Sequence, residues 1–401
     1  MPEAPPLHLV LYGATGFTGR QAVGYMANRY GTSGAVRWAI AGRSASKLKA
    51  LAEGFGSPPV IVADSADSDA LQAMVAQTMC VVSFAGPFAR YGSNLVAVCA
   101  RSGVDYCDIT GEIGWVREMI EAHDDTARSS GARIVPCCGH DSIPWDLTTM
   151  VLSRELKKLD ASEQVAKVDF WDKIRSKPSG GTLETAMDIM NGPPAKKSAL
   201  GYDPVLKTAD GTESQYKLKA NNVNRVTADP GGGARGFFVM AGVNANVVKR
   251  SNALLHYGTD MEYREGQAFS STVQAYKFQI TLICAFLMIK IPFLRWLARR
   301  IGLLPLPGDG PTEAEMAKGF LTVIGMAVGV NGGAAKATLT FPTDPGYKDT
   351  ARMAVESGLA LALEGNRITS GGGVLTPAAC QGEVLLQRLL ATGSTLTVSR
   401  G

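Results

Sequence analysis

The chain has 401 residues, enough for two packed domains or for one large domain with an insertion. Its composition, 46% hydrophobic and 19% charged with 45 glycines, is that of a folded globular protein rich in turns and close backbone approaches. Forty Lys and Arg against 36 Asp and Glu leave a net charge of +4, too weak a bias for a nucleic-acid partner. The seven cysteines sit mostly in apolar runs without a CxxC spacing, and the four histidines are scattered. No metal site is expected from them, and buried thiols in a reducing compartment are the simpler reading. The opening Met-Pro-Glu-Ala-Pro-Pro has no basic region and runs straight into a strand, so no cleavable signal is visible. An intracellular location is expected, with an organelle left open because a trimmed chain would look the same.

In chain order, apolar runs alternate with helical patterns. Leu7 to Tyr12 is the first run, and a glycine-rich turn and a helix to about Arg29 follow it. Val36–Ala41, Val60–Asp64, Cys80–Ala85, Asp105–Ile109 and Arg133–Pro136 are further runs. Between them lie helical patterns at Ala45–Glu53, Ser68–Gln77, Asn94–Ser102 and Ile113–Ser130. Short strands separated by helices point to a parallel sheet covered on both faces, an α/β doubly wound domain of Rossmann type.

From about 162 to 245 the strands are broken by Gly/Pro-rich loops such as Asn191-Gly192-Pro193-Pro194. Two β-rich runs, Leu321–Val330 and Ala334–Phe341, are joined by Asn331-Gly332-Gly333, a hairpin signal. A second α/β domain on a mixed or antiparallel sheet is therefore predicted. Helical patterns return at Thr350–Leu363 and Thr376–Ala391. The expected division is 1–145 for the nucleotide domain, 146–348 for the inserted domain, and 349–401 as a helical segment returning to the first.

Gly13-Ala14-Thr15-Gly16-Phe17-Thr18-Gly19 follows a strand and opens a helix. The first glycine permits the tight turn, the second lets a pyrophosphate approach the backbone, and the third lets the helix pack on the sheet. The pyrophosphate then meets free N–H groups at the positive end of the helix dipole. The second strand ends in Gly42-Arg43-Ser44, with Lys47 a turn later and no acid to hold a ribose 2′-OH. Arg43 can pair with a 2′-phosphate, with Ser44 and Lys47 in support, so NADP(H) is favoured over NAD(H). Arg43 as a solvated surface charge is the plainer alternative. Asp64, ending the third strand, suits either the adenine amino group or, with Ser65, a helix N-cap. Ala85-Gly86-Pro87 ends the fourth strand, where small residues let the backbone pass along the cofactor; a plain turn is the alternative.

These residues resemble the saccharopine dehydrogenase-like oxidoreductases, which include the mycobacterial trans-acting enoyl reductases. The likeness runs from Tyr12–Arg20 through Ala41–Ser44, Gly86–Phe88, Tyr91-Gly92, Asp105–Glu112 and Cys138–Asp146. It continues through Ser179-Gly180-Gly181-Thr182, Pro307–Thr312 and Gly373–Ala378, so it covers nearly the whole chain. The resemblance implies an N-terminal Rossmann domain, an inserted α/β domain and a returning C-terminal segment. It does not imply a lysine-pathway role.

Hydride transfer usually needs a proton donor beside the nicotinamide. No Tyr-x-x-x-Lys pair occurs, which leaves the Tyr/Lys scheme of short-chain dehydrogenases without support. Tyr91, Asp108, Glu112, His140 and Asp141 all follow predicted strand ends, the ligand side of an open α/β sheet. His140, Asp141 and Tyr91 are the candidate catalytic residues, since His delivers protons near neutral pH. Helix capping by Asp141-Ser142 is the competing reading.

Phe278 to Ile289 is apolar apart from Gln279 and Thr281, within a longer apolar segment 278–294. The uninterrupted run is short for a membrane span of about 20 residues. With Lys290, Arg295, Trp296, Arg299 and Arg300 beside it, the stretch 278–300 suits a membrane or lipid surface; a buried core or dimer-interface helix is the alternative.

The leading expectation is thus a peripheral, membrane-associated NADP(H)-dependent reductase acting on an enoyl or carbonyl group of an apolar, lipid-like small molecule. A non-catalytic subunit or scaffold holding NADP(H) within a larger membrane-associated assembly is the alternative, and a protein assembly or homo-oligomer is an expected partner in either case. A soluble amino-acid dehydrogenase is disfavoured by the apolar stretch 278–294. Its carboxylate site would have only Lys173, Arg175 and Lys177 as compact candidates, and strand alternation could equally put those on a solvated face.

Overall fold

The computed structural model describes residues 7–177, 187, 214–229, 232–300, 309–368 and 370–400. The Ser179–Thr182 block, the Asn191–Pro194 loop and Pro307-Gly308 lie outside the described residues. The chain divides into two compact units: Met1–Ile143 with Gly346–Thr392, and Pro144–Pro345 with Gly393–Gly401.

In the first unit the apolar runs become parallel strands: β1 (Leu7–Tyr12), β2 (Trp38–Gly42), β3 (Val60–Val62), β4 (Thr78–Ser83), β5 (Asp105–Asp108) and β6 (Arg133–Val135). With the short strand Gly373–Val374 beside β6, the sheet order is Gly373–Val374, β6, β5, β4, β1, β2, β3, all parallel. This is the doubly wound Rossmann order, with the switch point beside β1. Intervening helices are α1 (Phe17–Tyr30), α2 (Ala45–Glu53), α3 (Ser68–Val75), α4 (Phe88–Tyr91), α5 (Ser93–Ser102) and α6 (Ile113–Ser130). Leu9, Val10, Leu11, Val81 and Val82 are fully buried, as expected for strands covered on both faces. The helix Lys348–Leu363 packs on β1, β4 and β5. Its Gly358 allows the contact: a Cβ there would stand 2.4 Å from Val82 Cγ2 and 2.7 Å from Leu9 Cδ1.

The second unit carries a mixed sheet. Its strands are β7 (Val165–Arg175), β8 (Lys217–Ala220), β9 (Thr227–Ala228), β10 (Ala234–Gly236), β11 (Asp260–Phe269), β12 (Phe320–Gly329) and β13 (Ala334–Phe341). The order is Thr395–Arg400, β13, β12, β7, β11, β10, β9, with β8 also on β11. β7 and β8 run parallel to β11, and the remaining pairs are antiparallel. The β12–β13 hairpin closes through Gly332 at φ +92°, and Glu163 accepts from Asn331 N at 2.7 Å. One sheet face is covered by α7 (Ile143–Leu159) and the helix Ala241–Leu255: Thr148 and Leu152 meet the Gly325 position, and Asn244 reaches Glu265 at 2.8 Å.

Three features depart from the sequence expectations. Thr395–Arg400 is a strand paired with β13, so the last residues do not stay with the first unit. Its alternating Thr-Leu-Thr-Val-Ser suits an edge strand, and only tertiary pairing decides which sheet takes it. The expected helix Thr376–Ala391 is two helices, Pro377–Cys380 and Gly382–Ala391, broken where Gly382 takes φ +43°. The apolar stretch around 278–289 is part of a 19-residue helix, Thr272–Lys290, capped by Ser271 Oγ on Gln274 N. Helical length thus exceeds the apolar run, because Val273, Gln274, Ala275, Tyr276 and Lys277 continue the same helix.

Candidate cofactor and active site

Because every strand of the first sheet is parallel, the loops after β1 to β6 gather along one edge. The loop after β1 is built for close approach. Gly13 lies at φ +77°, and a Cβ there would stand 2.7 Å from Ala85 N, so the β1 and β4 loops touch through backbone alone. A Cβ at Gly19 would stand 2.4 Å from Gly13 O, which fixes the start of α1 against the turn. Gly13 N and Ala14 N donate to Ala41 O at 2.9 and 3.3 Å, holding the loop to the end of β2. Gly16 caps α1 with no side-chain hydrogen bond, and the first turn has no acid. Thr15, Phe17 and Thr18 are half-buried around an exposed Gly16. This helix end therefore offers N–H groups and a positive dipole to an anion, and the glycine cradle has no side chain in the way. These residues fit a dinucleotide pyrophosphate.

The next loop sets the base end. Arg43 is exposed and forms no ion pair among the described residues, and Lys47 on α2 is exposed as well. Ser44 begins α2 without capping it and lies 3.4 Å from Ser46, hydroxyl to hydroxyl. A cation with no ion-pair partner among the described residues and a hydroxyl held only by a neighbouring serine suit a 2′-phosphate. Asp64 accepts from Ala66 N at 2.9 Å, closing a turn, and its second oxygen is unengaged among the described residues. The cap of α3 is Asp67, which accepts from Asp69 N at 3.1 Å and Ala70 N at 3.0 Å. Asp64 and Ser65 are thus not the helix cap that the sequence allowed. The Tyr12 hydroxyl donates to Ala63 O at 3.3 Å, and burial pushes its pKa up to about 12.

The loops after β4, β5 and β6 are tied by two buried carboxylates, each of which reaches a backbone N–H of another loop. Glu112 accepts from Phe88 N at 2.6 Å and Ala89 N at 2.9 Å, fixing the turn Ala85-Gly86-Pro87 and its cis Gly86–Pro87 bond at the head of α4. Asp108 accepts from Thr110 N at 3.0 Å, the Tyr106 hydroxyl at 2.9 Å and Cys137 N at 3.2 Å. Burial raises the Asp108 pKa to about 7, against these hydrogen bonds. Cys137 sits at φ +62°, a left-handed conformation that a non-glycine residue rarely adopts, and the Asp108 bond holds it there. Sequence reading placed both acids at strand ends and missed what they hold.

Of the candidate catalytic residues, His140 and Asp141 lie in the loop between β6 and α7. His140 is buried, and its backbone N donates to Thr350 Oγ1 at 3.0 Å. Desolvation lowers its pKa to about 4, so the imidazole is neutral near pH 7. Asp141 keeps part of its surface exposed, yet the surrounding protein raises its pKa to about 7. Its carboxyl has no hydrogen-bond or ion-pair partner among the described residues. Tyr91 is half-buried at the end of α4. In the second unit, Lys173 and Arg175 are exposed on β7, and Lys177 pairs with Glu315 at 2.5 Å, so the three do not form one carboxylate site. No cluster of three or more metal-ligating residues occurs among the described residues.

The family model of the saccharopine dehydrogenase NADP binding domain matches residues 9–135. Over 98% of its length the chain is 35% identical to a candidate trans-acting enoyl reductase of Mycobacterium tuberculosis, covering 97% of that protein. It is 33% identical to trans-acting enoyl reductases of Mycobacterium tuberculosis and Mycobacterium leprae, covering all of this chain and 99% of theirs. Among solved structures, saccharopine dehydrogenase (L-Glu forming) of Saccharomyces cerevisiae superposes with a TM-score of 0.53 at 13% identity, over 98% of this chain and 100% of that one. Homospermidine synthase of Legionella pneumophila gives 0.52 at 11% identity, over 98% and 91%. At such low identity these two show a shared fold, whereas the full-length relatives show kinship. The chain belongs to the saccharopine dehydrogenase-like family of NADP(H)-dependent oxidoreductases, alongside the trans-acting enoyl reductases.

Proposed function

We propose that this protein is an NADPH-dependent reductase of the carbon–carbon double bond in an enoyl, lipid-like acyl substrate, working at a membrane surface. One observation carries the reading: the chain that holds the NADP(H) cradle also exposes a 19-residue apolar helix along nearly its whole length. The names of its full-length relatives support enoyl over carbonyl reduction. Bound NADPH supplies the hydride for the β-carbon, and the α-carbon then needs one proton.

Asp141 is the proposed proton donor, because a carboxyl with a pKa near 7 holds a proton at neutral pH and can release it. Neutral His140 and the Tyr91 hydroxyl are proposed as hydrogen-bond donors to the acyl carbonyl, which gains negative charge as the hydride arrives. Arg43, Ser44 and Lys47 select the 2′-phosphate in this reading, and Asp64 meets the adenine. The protein is proposed to be intracellular and peripheral to a membrane.

The test is NADPH oxidation by purified protein with a long-chain α,β-unsaturated acyl thioester, with and without lipid vesicles. Saturated product, formed faster with vesicles, supports the reading. NADPH that binds but is never oxidised by enoyl or carbonyl acyl substrates would replace it with the non-catalytic holding role.

A further inference from the structure

We infer that the helix pair Thr272–Lys290 and Pro292–Arg300 docks into one leaflet of an anionic bilayer and does not cross it. This inference rests on the membrane-surface reading above and narrows it to a lipid charge and a topology.

Length alone permits crossing: 19 residues rise roughly 28 Å, close to the hydrocarbon thickness of about 30 Å. The strand register argues otherwise. β11 runs parallel to β7 and β12 antiparallel to it, with Gln267 opposite Asp172 and Phe320 opposite Arg175. The chain therefore leaves the sheet after Phe269 and returns at Phe320 at the same end of the same sheet. A helix that crossed would need a second crossing before Phe320. The intervening sequence carries Arg295, Arg299 and Arg300 and four prolines at 292, 305, 307 and 311, so it supplies no return span.

Lipid contact fits the exposed side chains. Ile280, Ile283, Phe286 and Leu287 on the long helix and Phe293 and Trp296 on the short one are all exposed. Lys277 and Lys290 bracket the apolar run 278–289, which puts both its ends at headgroup level and lays the helix along the interface. The Arg300 guanidinium lies 5.4 Å from the Trp296 ring, and the Lys290 ammonium 5.7 Å from the Phe286 ring. Cation and aromatic side by side is the pairing that an interface favours.

Charge identifies the lipid. From 266 to 308 the sequence has no Asp or Glu, while Lys277, Lys290, Arg295, Arg299 and Arg300 give five positive charges. Such a segment is complementary to an anionic leaflet and gains little from a neutral one.

Cys284, mid-helix, is the one exposed cysteine of the seven and serves as a native reporter. The full chain is floated with vesicles of phosphatidylcholine, alone or mixed with phosphatidylserine, and treated from outside with a membrane-impermeant maleimide. Flotation with the anionic vesicles only, together with protection of Cys284, is expected. A thiol introduced by Arg300→Cys in a Cys284→Ser background is expected to react fully from outside. Reaction of that thiol only after vesicle lysis overturns the one-leaflet topology while leaving membrane docking in place. Equal flotation with neutral vesicles overturns the anionic preference. Failure to float, with Cys284 equally reactive throughout, removes the membrane reading itself. Cys284 protected without vesicles, in a protein that elutes as a dimer, assigns the surface to a second copy instead. Arg295→Gln with Arg300→Gln is expected to weaken partition onto anionic vesicles about 30-fold.

Discussion

Two helices of similar length have opposite fates here. Lys348–Leu363 buries every residue from Asp349 to Ala362, although it carries Asp349, Arg352 and Glu356. Thr272–Lys290 carries no acid and buries only Ala275 and Ile289. The charges of the buried helix are matched: Arg352 pairs with Asp349 at 2.7 Å, and Glu356 accepts from the Tyr25 and Tyr30 hydroxyls at 2.6 and 2.7 Å and from Arg388 at 2.8 Å. Burial is thus decided by what the rest of the unit offers each side chain, and apolar composition alone does not settle it. In the core helix, charge is tolerated because partners are built around it. In the exposed helix, apolar surface remains without protein cover among the described residues.

The comparison is broken most directly at Glu356. Glu356→Ala leaves two tyrosine hydroxyls and part of the Arg388 fork without their acceptor, and an expected loss of about 3 kcal/mol should appear in chemical denaturation. An unchanged midpoint would show that the network adds nothing. Next in size is the acid of the site. Asp141→Asn is expected to lower kcat about 100-fold. In the wild type the folded pKa of about 7 lies above the ordinary carboxylate value, so the proton-donating form dominates below pH 7 and is lost above it. Activity should fall through that range on the alkaline side, and the variant should lose the step. A wild-type profile flat from pH 6 to 8 would remove Asp141 from the donor role.

Smaller again is Glu112→Gln, which keeps one acceptor oxygen for Phe88 N and Ala89 N. NADPH binding should weaken several-fold, with the fold intact by circular dichroism, if the Gly86–Pro87 turn shapes the cofactor site. The smallest effect belongs to the exposed helix. Ile283→Ser in vesicle-free buffer should change stability by less than about 0.5 kcal/mol. A loss comparable to that of Glu356→Ala would mean that this face is covered in solution.

Much of the first unit was legible because its signals are local. Gly13, Gly16 and Gly19 state the turn, the approach and the packing within seven residues, and the strand–helix alternation fixes the parallel sheet. What stayed hidden depends on distant partners. Nothing near Glu112 announces that it holds Phe88 N, nor that Asp108 holds Cys137 N, because both bonds join separate loops. Thr395–Arg400 was counted with the returning helical segment, because its pairing with β13 is fixed by tertiary register. Asp64 and Ser65 read as caps on sequence, whereas geometry gives the cap to Asp67, two residues nearer the helix than Ser65. His140 and Asp141 fall in the loop between β6 and α7. Their protonation was not readable, since burial sets it.

The central claim is that the corner at Arg43 makes this an NADP(H) enzyme, and calorimetric titration of wild type and Arg43→Ala with NADPH and NADH tests it most directly. The account predicts tighter binding of NADPH by the wild type, a loss of about 10- to 100-fold for NADPH in Arg43→Ala, and little change for NADH. Equal affinity for the two nucleotides, or an Arg43→Ala variant that binds NADPH as well as the wild type, would contradict it.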